Sequence, residues 1–230
     1  MVTSNWLIIY YSPSSIASLL VFIAPRDIGT TILLSDHGNR QKHLNSNPVQ
    51  QRLLDRFHQI IVDLVGRTNA DTILDAGCAE GFVIQHLRDS GITACCVGGD
   101  FEPEALLWGR ENGIHNSSLA NLDIHRLPFP DNHFPLVICL EVLEHLPDSQ
   151  VGLRELARVS SEYVLLSVPH EPFFRGANFL RGKHVTAFGN DPEHLHNYSG
   201  RDFRQMVGDV VDIVWHGYSF PWQIALTRKR

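Results

Sequence analysis

ILDAGCAEGF, Ile73 to Phe82, is the stretch on which the reading of the fold turns. An apolar strand ends on the acid Asp75, a turn of small residues follows, and a helix opens at Phe82. On its carboxyl side that helix runs to Asp89, ahead of Gly91, and strand-like and helix-like segments then alternate. Thr93 to Gly98 reads as strand, Pro103 to Asn112 as helix, Leu119 to Ile124 as a short strand and Leu136 to Leu140 as strand; Val151 to Val159 follows as helix and Tyr163 to Val168 as strand. On its amino side, Thr72 to Asp75 is strand. Before it, Leu53, Leu54, Phe57, Ile60, Ile61, Leu64 and Val65 recur at three and four, an amphipathic helix that starts after Pro48 and closes at Gly66.

Apolar strands without polar alternation are covered on both faces, which predicts a mostly parallel sheet with helices on each side. Val210 to His216 and Gln223 to Thr227, joined by a turn with Gly and Pro, predict a closing antiparallel hairpin. The expectation is one α/β domain over residues 48–230, preceded by a leader and lid over 1–47. Residues 169–199 lack clear periodicity and are expected as a substrate-side insertion. Residues 26–48, with His37 and His43, read as a loop or lid. Trp6 to Ala24 is mostly apolar, but it lacks a basic leading segment and is interrupted by Ser12-Pro13-Ser14-Ser15, so it is read as a leader rather than a membrane anchor.

With 19 Lys+Arg against 25 Asp+Glu, net charge −6, the chain has no overall basic field to gather nucleic acid or an anionic membrane surface. Cys78, Cys95, Cys96 and Cys139 show neither paired metal spacing nor a disulfide framework, and read as reduced core residues of a cytoplasmic protein.

In an open α/β sheet a ligand sits beyond the carboxyl ends of the strands, so the turn after the first strand is the expected floor of a site. Gly77 and Gly81 let the backbone approach a ligand, but Cys-Ala-Glu between them breaks the G-x-G-x-x-G dinucleotide fingerprint. Asp100, ending the second strand in VGGDFEPEAL, is placed to accept ribose hydroxyls. Asp123, at the end of the third, is placed to accept an adenine amino hydrogen. Taken singly, each acid also reads as a helix cap or loop carboxylate.

In this order and spacing, ILDAGCAEGF, VGGDFEPEAL, LDIHRLPFPDNHFPLVICLEVLEHLPD and VLLSVP resemble the class I S-adenosylmethionine-dependent methyltransferases, especially the broad group that includes ubiquinone-biosynthesis methyltransferases. The resemblance runs from about Pro48 to the end. It implies a Rossmann-like fold with a seven-stranded, mostly parallel sheet, an antiparallel C-terminal hairpin, helices on both faces, and S-adenosylmethionine as cofactor. It also implies Asp75, Gly77 and Gly81 at the methionine part, Asp100 at the ribose, Asp123 and the Ile124 backbone at the adenine, and Cys78, Ala79, Phe101 and Leu140 in the same site. The family usually carries glycine where this chain has Ala79, a methyl group placed to crowd the cofactor. A cofactor-binding relative without catalysis is the alternative that this departure suggests.

Methyl transfer from a sulfonium is an in-line displacement, so groups that orient the acceptor and take its proton are expected past the fourth and fifth strands. Glu141, Glu144 and His145 lie there as E-V-L-E-H, and a helical turn would gather them on one face, a donor set suited to a divalent metal. His194, in DPEHLHNYSGRDF, resembles the histidine that completes an E-x-x-E-H metal site in small-RNA 2′-O-methyltransferases; some ubiquinone O-methyltransferases share E-x-x-E-H. Two readings stay open: a metal on Glu141, Glu144, His145 and His194, or general-base catalysis by His145 or His194 with Glu141 near the cofactor. Phe173, Phe174, Phe179 and Phe188 read as walls of an apolar pocket and Arg175, Arg181, Lys183 and His184 as anion-holding groups, or else the segment is a cap helix. The expected activity is O-methylation of a small acceptor with an anionic or lipid-like group, with a metal-assisted RNA 2′-O-methyltransferase as the rival.

Overall fold

The structure is a computed structural model that describes residues 38–114, 118–180 and 194–230. The expectations for Trp6 to Ala24, His37, Arg181, Lys183, His184 and Phe188, and for the side chain of Phe179, lie outside the described residues.

Asn47 accepts hydrogen bonds from the Val49 and Gln50 N–H groups, and Pro48 fixes the first turn, so a long helix, α2 (Pro48–Thr68), starts where the sequence places it. It ends at left-handed Asn69 rather than at Gly66, since a helical glycine only weakens a helix that packing holds. A short helix, α1 (Gly38–Leu44), precedes it, within the segment expected as loop. Seven residues are too few for helical periodicity to stand out, and α1 is held by what it packs on.

From there the chain alternates: β1 (Thr72–Ala76), α3 (Phe82–Asp89), β2 (Cys95–Asp100), α4 (Pro103–Glu111), β3 (Ser118–Asn121), β4 (Phe134–Leu140), a 3₁₀ turn (Leu143–His145), α5 (Ser149–Val159), β5 (Ser160–Pro169), α6 (Phe173–Leu180), α7 (Gly200–Gly208), β6 (Asp212–Ser219) and β7 (Trp222–Arg228). The sheet order is β3-β2-β1-β4-β5-β7-β6. All pairs from β3 to β5 are parallel, and β7 runs antiparallel to both β5 and β6. This is the Rossmann-like methyltransferase fold that the motifs imply.

Alternate residues of β4 enter opposite cores, as a strand's period of two requires. Leu136, Ile138 and Leu140 pack with Phe57, Ile61 and Leu64 of α2, while Val137 and Cys139 pack with Leu153 and Leu156 of α5 and Phe203 and Val207 of α7. Two expectations are corrected. β2 begins at Cys95, not Thr93, and Cys95 is exposed rather than in the core; all four cysteines are free thiols. β3 stops at Asn121, whose side-chain amide donates to the Asp100 and Phe101 carbonyls and turns the chain away from the sheet, so Asp123 stands two residues past the strand. Among the described residues no helix is long and apolar enough to cross a membrane.

Candidate active site

Chain order reverses between β1 and β4, and a cavity of about 710 Å³ opens above the carboxyl ends of β1, β2 and β4 at that switch point. Asp75, Gly77, Cys78, Ala79, Asp100, Phe101, Asp123, Ile124, Leu140, Glu141, His145 and His194 all line it; Gly81 and Glu144 do not.

The glycine turn is built from left-handed residues, with φ of 88° at Gly77, 45° at Ala79 and 86° at Gly81. Gly77 N–H and Cys78 N–H both donate to the Gly99 carbonyl, tying the turn to β2. A Cβ at Gly77 would also lie 2.4 Å from a Val142 methyl, so this turn admits only glycine there. Gly81 caps the turn by donating to the Cys78 carbonyl at 2.8 Å, which explains why it shapes the cavity without lining it. Ala79 has the backbone that glycine favours, and its N–H is anchored at 2.7 Å on Asp100 Oδ2.

Asp100 thereby has a structural duty on each oxygen, since Oδ1 accepts from Glu102 N–H at 2.9 Å. Each oxygen keeps a further lone pair for a ligand. Burial raises the Asp100 carboxyl above its usual range against these bonds. Asp75 is buried, its Oδ2 has no hydrogen-bond partner among the described residues, and burial followed by the neighbouring Asp100 charge pushes its carboxyl up to about 7. Asp123 is the reverse case. It is exposed, accepts from His125 N–H and faces the His125 ring at 2.9 Å, and these hydrogen bonds hold it below the usual carboxylate range.

The adjoining wall follows β4, the strand paired with β1. Glu141 is not part of a helical turn: its φ is 59°, its N–H donates to the Ser167 carbonyl, and its Oε1 accepts from Ser167 Oγ at 2.8 Å. Burial pushes its carboxyl up to about 7, with Lys42 opposing the shift. Glu144, His145 and His194 gather instead, their ligand atoms all within 4.8 Å of one another. The four-residue set expected from E-x-x-E-H thus loses Glu141, because the left-handed backbone there separates it from the 3₁₀ turn. His194 reaches the cluster because the Leu195 and His196 N–H groups both donate to the Glu144 carbonyl, and Tyr198 donates to Ser149 further on. His145 and His194 meet edge to face at 4.9 Å. Phe174 is buried in the cavity wall beside His194, whereas Phe173 is exposed.

Asn39 and Lys42 line the cavity without having been singled out, and His43 was noted only as part of a loop or lid, not of a helix. His43 stacks on Phe82 at 4.2 Å and Arg40 lies over Trp108 at 5.1 Å, which seats α1 beside the glycine turn. Glu80 also lines the cavity and was passed over as the polar letter between two glycines.

A family model described as a methyltransferase domain matches residues 74–163. An uncharacterized methyltransferase, YcgJ, of Bacillus subtilis is 27% identical over 147 residues, 58% of this chain and 54% of that protein. A ubiquinone biosynthesis O-methyltransferase of Escherichia fergusonii is 28% identical over 101 residues, 43% of this chain and 42% of that protein. The chain spans about half the length, or less, of these curated relatives. In fold it is similar to magnesium protoporphyrin IX methyltransferase of Synechocystis PCC 6803 with bound S-adenosylhomocysteine, TM-score 0.64 at 19% identity, covering 83% of this chain and 92% of that one. The matched domain, the named relatives and the seven-stranded sheet agree that the chain carries a class I S-adenosylmethionine-dependent methyltransferase domain.

Proposed function

We propose that this chain transfers the methyl group of S-adenosylmethionine to an oxygen of a small-molecule acceptor in the cytoplasm. The observation that carries the choice of oxygen is the Glu144, His145 and His194 cluster, two members of which line the same cavity as Asp75, Ala79 and Asp100. A hydroxyl must be oriented and relieved of its proton, which such a cluster is suited to do.

On the cofactor side, the spare lone pairs of Asp100 receive the ribose hydroxyls, Asp75 faces the methionyl end, and Asp123 with Ile124 faces the adenine. On the acceptor side, His145 and His194 orient the hydroxyl. Glu141, held near neutrality by burial at about 7, accepts its proton. Two imidazoles and a carboxylate fit a divalent ion of intermediate softness, so Glu144, His145 and His194 would hold one; when bound, it would acidify and orient the acceptor oxygen. The free thiols of all four cysteines support a reducing compartment, and the net charge of −6 weighs against RNA as acceptor. The ubiquinone biosynthesis O-methyltransferase among its relatives supports oxygen as the target, beside relatives named for carbon and nitrogen.

The test is to supply the purified full chain with methyl-labelled S-adenosylmethionine and a small-molecule extract, and to measure bound metal in parallel. Label should be released by base, as from methyl esters, or by hydriodic acid as methyl iodide, as from methyl ethers. It should fall at least about tenfold with a chelator and in Glu144→Ala. Label on amines alone contradicts the proposal, and full activity in both conditions removes the metal.

A further inference from the structure

The turn contains one carboxylate for which neither the fold nor the chemistry above has a use. Glu80 is 0% exposed, yet it lines the cavity. Its Oε2 accepts from the Asn39 side-chain amide of α1 at 2.6 Å, while its Oε1 is enclosed with no hydrogen-bond partner among the described residues. Its backbone is fixed from behind, because a Cβ at Gly109 of α4 would lie 2.0 Å from the Glu80 carbonyl oxygen. A buried carboxylate oxygen without a donor is costly. Holding one in place on two sides is understandable if a donor arrives with a ligand.

The surrounding charge indicates which donor. Asp75, Glu80 and Asp100 crowd one turn, and the buried Cys78 thiol feels all three. Such a concentration of negative charge favours a cation. Asp100 stands at the end of β2, on the nucleoside side, which leaves Asp75 and Glu80 for the amino-acid end, and of the two Glu80 is the one bonded to α1.

We propose that Glu80 divides its two oxygens between lid and cofactor: Oε2 holds α1 through Asn39, and Oε1 receives the methionyl ammonium of the bound cofactor. This rests on the cofactor reading above. Recognition of the ammonium and seating of α1 are then one event, because an ammonium that fixes the Glu80 side chain also fixes the acceptor for Asn39. Glu80 is a cofactor-binding residue in this scheme and Asn39 a positioning residue.

Calorimetry on the full chain tests it with two ligands, S-adenosylhomocysteine and its analogue lacking only the amino group. The unaltered chain should bind the analogue about tenfold more weakly or worse, the value of a charge-assisted hydrogen bond. Glu80→Gln, which keeps shape and removes charge, should bind both ligands alike, at the weaker level. Asn39→Ala keeps the Glu80 charge and should retain the preference while S-adenosylhomocysteine leaves several-fold faster in stopped-flow fluorescence of Trp108. Thermal melts of both variants without ligand establish that they fold. A Glu80→Gln protein that still prefers S-adenosylhomocysteine overturns the assignment, as does Asn39→Ala with an unchanged dissociation rate. If the unaltered chain binds neither ligand, the cofactor reading fails first and takes this one with it.

Discussion

The two walls of the cavity are made in different ways. The wall proposed to hold the cofactor is a single turn and the ends of adjacent parallel strands, with Gly77, Cys78 and Ala79 each hydrogen-bonded by their N–H to β2. The wall proposed to face the acceptor joins Glu141 and the 3₁₀ turn after β4 to His194, whose neighbours dock on the Glu144 carbonyl from far along the chain. One wall is a single turn bonded to the next strand; the other is closed by backbone hydrogen bonds between segments far apart in the chain. Binding of a constant ligand suits the first, and choice among acceptors suits the second.

If the walls are separable, each substitution should move one property and spare the other. Asp100→Ala should have the largest effect, weakening S-adenosylhomocysteine about a hundredfold or more in calorimetry, since it removes a ligand acceptor and frees two backbone N–H groups. His194→Ala should lower kcat at least about tenfold once an acceptor is in hand, with the cofactor dissociation constant unchanged. A shift in cofactor affinity of similar size would break the separation.

Asp75 tests whether the cofactor wall was built for a ligand rather than for stability. Its folded-state pKa of about 7 lies above the ordinary 3.8, so the folded protein holds the proton more tightly than the unfolded chain. Stability from this group is therefore full below about pH 4 and is lost as pH rises through 7. Glu141, raised from 4.5 to about 7, acts in the same direction. Denaturant titrations should show stability falling by about one to a few kcal/mol from pH 5 to pH 8. Asp75→Asn should flatten that slope while weakening S-adenosylhomocysteine. An unaltered slope would mean that Asp75 is ionised in the folded protein throughout.

Ala79→Gly should have the smallest effect. A left-handed alanine costs about 1 kcal/mol, and the looser unfolded chain of the glycine variant offsets part of the relief. A gain below about 1 kcal/mol in urea, with equal or slightly tighter cofactor binding, is expected. Cofactor binding improved a hundredfold would show that the Ala79 methyl obstructs the site, as its departure from the family pattern suggested.

The same contrast explains what was legible in the sequence. Parallel strands covered on both faces and small-residue turns leave apolar runs and glycines, so β1, β4, β5 and the turn could be read directly. Asp100 could be placed because it is the last residue of a strand. Glu141 was grouped with Glu144 and His145 because helical spacing was the natural assumption. Nothing in the letters E-V-L-E-H announces a left-handed backbone at a glutamate. Asn39 and Lys42 escaped, and His43 was legible only as part of a loop or lid, for another reason: a seven-residue helix is held by the Phe82 and Trp108 rings it packs on, which is tertiary information.

Calorimetric titration of the full chain with S-adenosylhomocysteine, repeated on Asp100→Ala and His194→Ala, tests the central claim most directly. One saturable site is predicted, lost in Asp100→Ala and unchanged in His194→Ala. No binding to the unaltered chain, or equal loss in both variants, would contradict it.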